Sequence, residues 1–285
     1  MKEFNFVIEK SLEGTTIKYL LEKQMNFSGK MITELKNGDC IFVNGHPCTV
    51  RTLLKHGDNI KILIPEIQKS NIIPVAGNLE ILYEDDDIIA VCKPQNMPTH
   101  PSKYHLTGTL ANIVCGYLGK DFVFRAVTRL DKDTSGIVLI TKNKYAAEVM
   151  NRQMRENRIR KEYLAVCVGN LSKPIEITAN IKKESDRGIK RVVAEDGKYA
   201  ITHCVPIKSR DGLTLVRLIP ETGRTHQLRV HMSYAGYPLY GDFLYGTEVS
   251  GITTMLHCEK LTFFHPSSGN KITVTAPVPS HFAIK

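Results

Sequence analysis

From Leu79 onward the chain is broken into short apolar runs of strand length, and this spacing limits the folds open to it more than any other feature. The runs are LEILYE (79–84), DIIAVCK (87–93), GIVLITK (136–142), KEYLAVCVG (161–169), TLVRLI (214–219) and KITVTA (271–276). Each is rich in β-branched and aliphatic residues, as half-buried or buried strands require. Helical periodicity interrupts them in two places. Around Lys144–Asn157, Ala146, Ala147, Met150 and Met154 form a stripe, with Arg152, Arg155 and Arg158 off it. Around Thr225–Ala235, Leu228, His231, Met232 and Ala235 recur at helical spacing. Thr225 is the expected N-cap there, Gly236 the stop, and Pro238 lies just beyond. Strands this frequent, without a helix after each, predict an α+β fold with a mainly antiparallel mixed sheet and flanking helices.

The segment before Leu79 reads differently. GTTIKYLLEKQ and SGKMITELKNG are two short amphipathic helices, with Ile17, Leu20 and Leu21 on one face and Met31, Ile32 and Leu35 on the other helix's face. Ser28 is a fitting N-cap and Gly38 a stop. CIFVNGHPCTV follows as a hairpin, because Asn44-Gly45 suits a type I′ turn, and DNIKILI closes the unit as a further strand. PEIQKSNIIPVAGN mixes Pro, Gly and polar residues without a period and reads as a linker. The expected division is residues 1–66, a linker over 67–78, and a larger domain over 79–285.

Charge narrows the partner. The formal net charge is +9, and residues 142–191 alone hold 13 Lys or Arg against 6 Asp or Glu. A basic stretch this local suits a polyanion, though a solvated helix face and a polar loop would look the same. The seven cysteines include no C-x-x-C pair and fall mostly inside apolar runs, so they read as reduced core thiols of a cytosolic protein rather than metal ligands. His226 and His231 are five apart, about 140° around a helix, which is the wrong spacing for two ligands on one face. No metal or cofactor is expected. MKEFNFVIEK lacks the apolar core of a signal peptide, and no apolar run approaches the length of a membrane span.

Taken singly, the polar motifs are ambiguous. Asp131 and Asp133 precede a Thr-Ser-Gly turn, where aspartates commonly cap the backbone. Arg224 and Arg229, near the start of a helix, would ordinarily be solvated or surface ion-paired. The order of the blocks is more specific: LEILYEDDDIIAVCKPQNMPTHP, RLDKDTSG, RKEYLAVCVG, IPETGRTHQLRVHMSYAGYPLYGD, LHCEKLTFFHP. Across about residues 79–270 this resembles the RluA-type family of RNA pseudouridine synthases, and the N-terminal unit resembles the α-L RNA-binding module that accompanies many RNA-modifying enzymes.

The resemblance implies an isomerase whose partner is RNA; a cytoplasmic location follows from the cysteines, and a monomer is the default expectation. Ribosomal RNA is the first expectation and transfer RNA the second. Asp131 matches the family's catalytic aspartate and Arg229 the basic residue that pairs with it. Tyr163 matches the tyrosine that stacks on the target base, and Leu228 the apolar residue on the base's other side. Arg129 matches the arginine that occupies the space left by the flipped-out nucleotide. Two positions depart from the pattern: Thr128 stands where His is frequent, and Asn96 where Gly is usual.

The residue types suit the reaction. Isomerising uridine breaks a carbon–nitrogen glycosidic bond and forms a carbon–carbon bond to the same sugar, with no redox change and no atom lost. One ionised carboxylate suffices, either attacking the anomeric carbon or removing the C2′ proton. A guanidinium beside it keeps it charged in a site closed to water. Two readings outside this chemistry remain: a non-catalytic RNA-binding or ribosome-assembly protein, and a hydrolase using Asp131 with His226.

Overall fold

The computed structural model describes residues 2–66, 70–102, 105–186, 188–246 and 248–282. The chain opens with strand β1 (Lys2–Val7), whose alternating Phe4 and Phe6 pack on an apolar core beneath. Helix α1 (Ile17–Tyr19) is capped by Thr16 and widens into a π-helical turn over Leu20–Gln24. Helix α2 (Gly29–Asn37) starts at Ser28, whose hydroxyl accepts the Met31 N–H at 3.2 Å. β2 (Ile41–Val43) and β3 (His46–Pro47) form the expected hairpin, with Asn44 at φ 51° and Gly45 at φ 81°, both left-handed as a type I′ turn demands. β4 (Asn59–Ile64) completes a four-stranded sheet in the order β1-β4-β2-β3. Ile17, Leu21, Leu35, Ile60 and Ile62 fill a core of their own.

The remaining elements build one ten-stranded sheet, a two-stranded hairpin and three helices. In chain order they are β5 (Glu80–Glu84), β6 (Ile88–Lys93), α3 (Leu110–Leu118), β7 (Arg125–Ala126), β8 (Ser135–Thr141), α4 (Lys144–Arg155), β9 (Arg160–Val168), β10 (Ile175–Thr178), β11 (Ile181–Lys183), β12 (Arg191–Val193), β13 (Ile201–Arg210), β14 (Leu213–Pro220), α5 (Gln227–Tyr234), β15 (Leu256–Phe264) and β16 (Lys271–Thr275). The sheet runs β10-β13-β14-β9-β15-β8-β6-β5, with β16 beside β15 and β7 beside β8. Pairing is antiparallel except between β15 and β8, so the fold is α+β with a mainly antiparallel mixed sheet.

The one parallel contact sits at the motif that ends in Thr-Ser-Gly. His257 pairs with Ser135 and Cys258 with Gly136. Gly136 is at φ 109°, and a Cβ there would lie 2.3 Å from the Cys258 carbonyl oxygen. Backbone approach this close admits only glycine, so the small turn is what lets β8 enter the middle of the sheet directly behind Asp131. Gly136→Ala is therefore expected to lose more than about 2 kcal/mol of stability; urea unfolding of the variant checks this.

Several elements differ from the sequence expectation. The second long helix begins at Gln227, not Thr225, and its N-cap is His226 in a left-handed conformation. In α4, Ala146 and Met150 are buried as expected, but Val149 and Gln153 complete the stripe while Ala147 and Met154 are half-buried. α3 was not expected. Of the linker, residues 67–69 lie outside the described residues. Residues 70–78 are irregular but not loose: the Val75 N–H donates to the Asn112 carbonyl at 3.0 Å and the Asn112 side chain donates to Ile73 at 2.7 Å.

The first sheet is joined to the second by polar and aromatic contacts. The Lys2 ammonium lies 2.7 Å from Asp87, and Phe4 stacks edge-on against Tyr145 at 4.7 Å. Glu34 pairs with Lys144, and Glu66 with Arg125 at 2.8 Å.

Candidate active site

Asp131 stands in the loop between β7 and β8, and three consecutive carbonyls fix that loop. The Thr99 hydroxyl donates to Leu130 O at 2.8 Å, the Thr134 N–H to Asp131 O at 3.2 Å, and the Lys93 ammonium to Lys132 O at 3.1 Å. Lys93 is fully buried and also donates to Pro94 O and Met97 O, both at 2.8 Å. Burial pushes its ammonium down to about 8, against the pull of Asp133 and Asp131. Three carbonyls need three donors, so the ammonium is the form that satisfies this cage. Lys93→Met would leave three buried acceptors unpartnered and is expected to cost about 2–3 kcal/mol; thermal denaturation reads the loss.

Both departures from the motif pattern have structural answers. Asn96 adopts φ 60°, a region asparagine tolerates, so the KPQN turn survives without glycine. Thr128 turns its hydroxyl to the Leu139 N–H at 3.0 Å, fixing the segment after β7 against β8.

The second wall of the site is the loop before α5. Gln227 is its buried organiser: Oε1 accepts the Arg224 N–H at 3.0 Å and the Thr222 hydroxyl at 2.7 Å, while Nε2 donates to Ile201 O at 2.8 Å and to Thr202 Oγ1 at 3.0 Å. This clamp leaves His226 at φ 57°, lining the cavity. Arg224 is exposed, and its Nε donates to Tyr199 O at 3.0 Å.

Between these walls lies a cavity of about 300 Å³. Arg129, Asp131, Tyr163, Leu228 and Arg229, the five residues singled out in the sequence, all line it. Tyr163 comes from β9, Leu228 and Arg229 from the first turn of α5, and Arg129 and Asp131 from the loop between β7 and β8. Tyr163 and Leu228 are largely buried apolar surfaces, Asp131 is half-buried, and Arg129 is exposed at the rim. The lining carries four cations, Arg129, Lys161, Arg224 and Arg229, and a single carboxylate, Asp131. Such a field attracts a polyanion while presenting it one negative group.

One pairing differs from expectation. Arg229 makes its ion pair with Asp242, not Asp131: Nε meets Oδ2 and a terminal nitrogen meets Oδ1, both at 2.7 Å. Both side chains are buried, at 3% and 0% exposure, and Oδ1 also accepts the Leu244 and Tyr245 N–H groups. Asp242 thus holds the guanidinium in place, from where it acts on Asp131 through space; both carboxylates raise the pKa of Arg229 against the burial that lowers it. The His226 ring lies beside Asp131, with Nε2 3.9 Å from Oδ2. Burial holds the His226 pKa below the usual histidine range, with Asp131 opposing and Arg229 and Arg191 adding to the fall. His231 is buried, with Nδ1 3.0 Å from Thr202 Oγ1 and Nε2 3.1 Å from the Ala179 carbonyl, and packs as a structural residue.

With fold and cavity described, comparison with known proteins places the chain. The family model for RNA pseudouridylate synthase matches residues 87–234, and that for the N-terminal domain of the RluD ribosomal pseudouridine synthase matches residues 4–60. The chain belongs to the RNA pseudouridine synthase family and is an isomerase. An uncharacterized RNA pseudouridine synthase of Bacillus subtilis, YjbO, is 36% identical, with 90% of this chain and 93% of that protein covered. The ribosomal large subunit pseudouridine synthase D of Xanthomonas campestris is 32% identical over 91% of this chain and 84% of its own. Among solved structures, human RNA pseudouridylate synthase domain containing 1 superposes with a TM-score of 0.59 and 32% identity, over 70% of this chain and 83% of its own. Among the described residues, no helix is long and apolar enough to cross a membrane.

Proposed function

We propose that the protein isomerises one or more uridines of ribosomal RNA to pseudouridine in the cytoplasm, with Asp131 as the catalytic carboxylate acting on a nucleotide flipped into the cavity. The observation that carries this reading is the convergence of Asp131, Tyr163 and Leu228 on one cavity from three separate segments. A flipped uracil would lie between the Tyr163 ring and Leu228, with its ribose toward Asp131. Extruding a base costs a few kcal/mol, which stacking on Tyr163 and insertion of Arg129 into the vacated space offset. Asp131 then either attacks the anomeric carbon or takes the C2′ proton; uracil detaches, turns within the closed pocket and rejoins through its carbon. Arg229, fixed by Asp242, supplies positive charge near the carboxylate without neutralising it by direct contact. The chemistry is complete with these side chains and calls on no cofactor.

Ribosomal RNA is favoured because relatives matching over nearly the whole chain are named for the ribosomal large subunit, and because residues 4–60 match the N-terminal domain of such an enzyme. We read residues 1–66 as an RNA-docking domain, 67–78 as its tether and 79–285 as the catalytic domain of a monomer. Mapping pseudouridine in total RNA from cells with and without the gene tests the assignment. Loss of a ribosomal RNA site is the expected result. Loss of a transfer RNA site moves the substrate, and an unchanged map favours a non-catalytic role.

A further inference from the structure

His226 stands between the Tyr245 hydroxyl and the Asp131 carboxylate. Its Nδ1 lies 2.7 Å from the Tyr245 hydroxyl. That hydroxyl also accepts the backbone N–H of Arg191 on β12, at 2.9 Å. A phenol has one hydrogen to give. With one lone pair committed to Arg191, the hydroxyl hydrogen needs an acceptor, and among the described residues His226 Nδ1 is the acceptor within reach. Directed to Nδ1, that hydrogen leaves a neutral His226 with its own proton on Nε2. That nitrogen is the one 3.9 Å from the Asp131 carboxylate.

We propose that His226, locked by Tyr245 as its Nε2–H tautomer, is a positioning residue that donates to Asp131 and orients its carboxylate toward the sugar. The inference rests on the catalytic reading of Asp131 given above. The present separation exceeds a hydrogen bond; contacts of this kind tighten when substrate fills an active site. Backbone geometry agrees. His226 sits at φ 57° at the start of α5, a conformation that a bulky residue occupies at a cost and that tends to mark functional positions. A neutral donor also leaves Asp131 its full charge, whereas a direct guanidinium contact would compete with the sugar for the same oxygens. Among the described residues, the charged groups that act on the imidazole are Asp131 on the β7–β8 loop, Arg229 on α5, Asp242 before Tyr245, and Arg191 on β12.

Because Tyr245 takes its hydrogen bond from β12, the proposal also ties the site to the β11–β12 hairpin. Ile181 and Val193 of that hairpin pack with Val230 of α5 and with Tyr245. RNA seated on the hairpin would steady the tyrosine that sets the tautomer.

The tautomer can be read without any turnover, by long-range proton–nitrogen NMR of the full-length protein with labelled histidine. The expected spectrum shows His226 protonated on Nε2 at pH 7, with the preference weakened in Tyr245→Phe. Kinetics give the second arm. His226→Asn suits the left-handed backbone but is too short to reach Asp131, so kcat should fall at least about tenfold while RNA affinity stays within about threefold. His226→Gln restores an N–H at the reach of Nε2 and should recover part of the loss. The acid limb of the kcat profile should also move, because protonated His226 can no longer accept from Tyr245; in His226→Gln that limb shifts to lower pH. An Nδ1–H tautomer in the wild type, or wild-type kcat in His226→Asn, overturns the proposal. An active Asp131→Asn would instead overturn the catalytic reading beneath it, with the tautomer result standing.

Discussion

Asp131→Asn is expected to cut pseudouridine formation by at least about a thousandfold while RNA binding stays close to that of the wild type. The side chain keeps its size and loses its charge, so neither attack on the anomeric carbon nor removal of the C2′ proton remains open to it. The fold should tolerate the change. Asp131 is half-buried, and the loop around it is held through backbone carbonyls at Leu130, Asp131 and Lys132 rather than through its carboxylate. Affinity should survive as well, because the cations lining the cavity are untouched and one repelling charge is gone. A single-turnover assay on substrate RNA, paired with a filter-binding titration, separates the two quantities. Activity within tenfold of wild type would remove Asp131 from the chemistry.

Asp242→Ala is expected to be the most damaging single change to stability near the site. It strands the Arg229 guanidinium, 3% exposed, without its bidentate partner, and it frees two backbone N–H groups that now bond Oδ1. Breaking a buried ion pair from one side costs about 3–5 kcal/mol, chiefly the penalty of the charge left behind. For a chain of this size that is roughly a 10 °C fall in melting temperature. Substituting both partners, with Arg229→Met and Asp242→Leu, should recover much of the stability and none of the activity. Scanning calorimetry checks the first statement and turnover of the double variant the second. A fall of less than about 2 °C for Asp242→Ala would show that Arg229 has another anchor.

The limits of the sequence reading have physical causes. The strands whose residues alternate or run apolar, such as β6 and β8, are legible because burial dictates their composition. β11 and β12 are not, since IKK and RVV form a two-stranded hairpin with little buried surface. α3 escapes because LANIVCGYL is apolar on nearly every side; even its exposed face carries Gly116 and Tyr117 rather than a charged stripe that would reveal its period. Thr225 has the chemistry of an N-cap, yet the buried Gln227 side chain takes over the turn's hydrogen bonds and delays the helix to the next residue. The residues lining the cavity were legible through their motifs, but the bonds among them were not. Asp242 lies thirteen positions from Arg229 and off its helix, where no periodicity connects them. Lys93 reads as the polar end of a strand, and only the folded chain brings Lys132 O to its ammonium. Gly136 reads only as part of a small turn, because the group that demands glycine there, the Cys258 carbonyl, comes from a strand more than a hundred residues later.

The most direct measurement is a crystal structure of the Asp131→Asn protein bound to its substrate RNA. The expected result is a uridine out of its stack, its ring between Tyr163 and Leu228, its anomeric carbon within about 3.5 Å of the side chain at position 131, and Arg129 in the gap it leaves. A target uridine still stacked in the RNA, or seated with its sugar outside this cavity, would contradict the account.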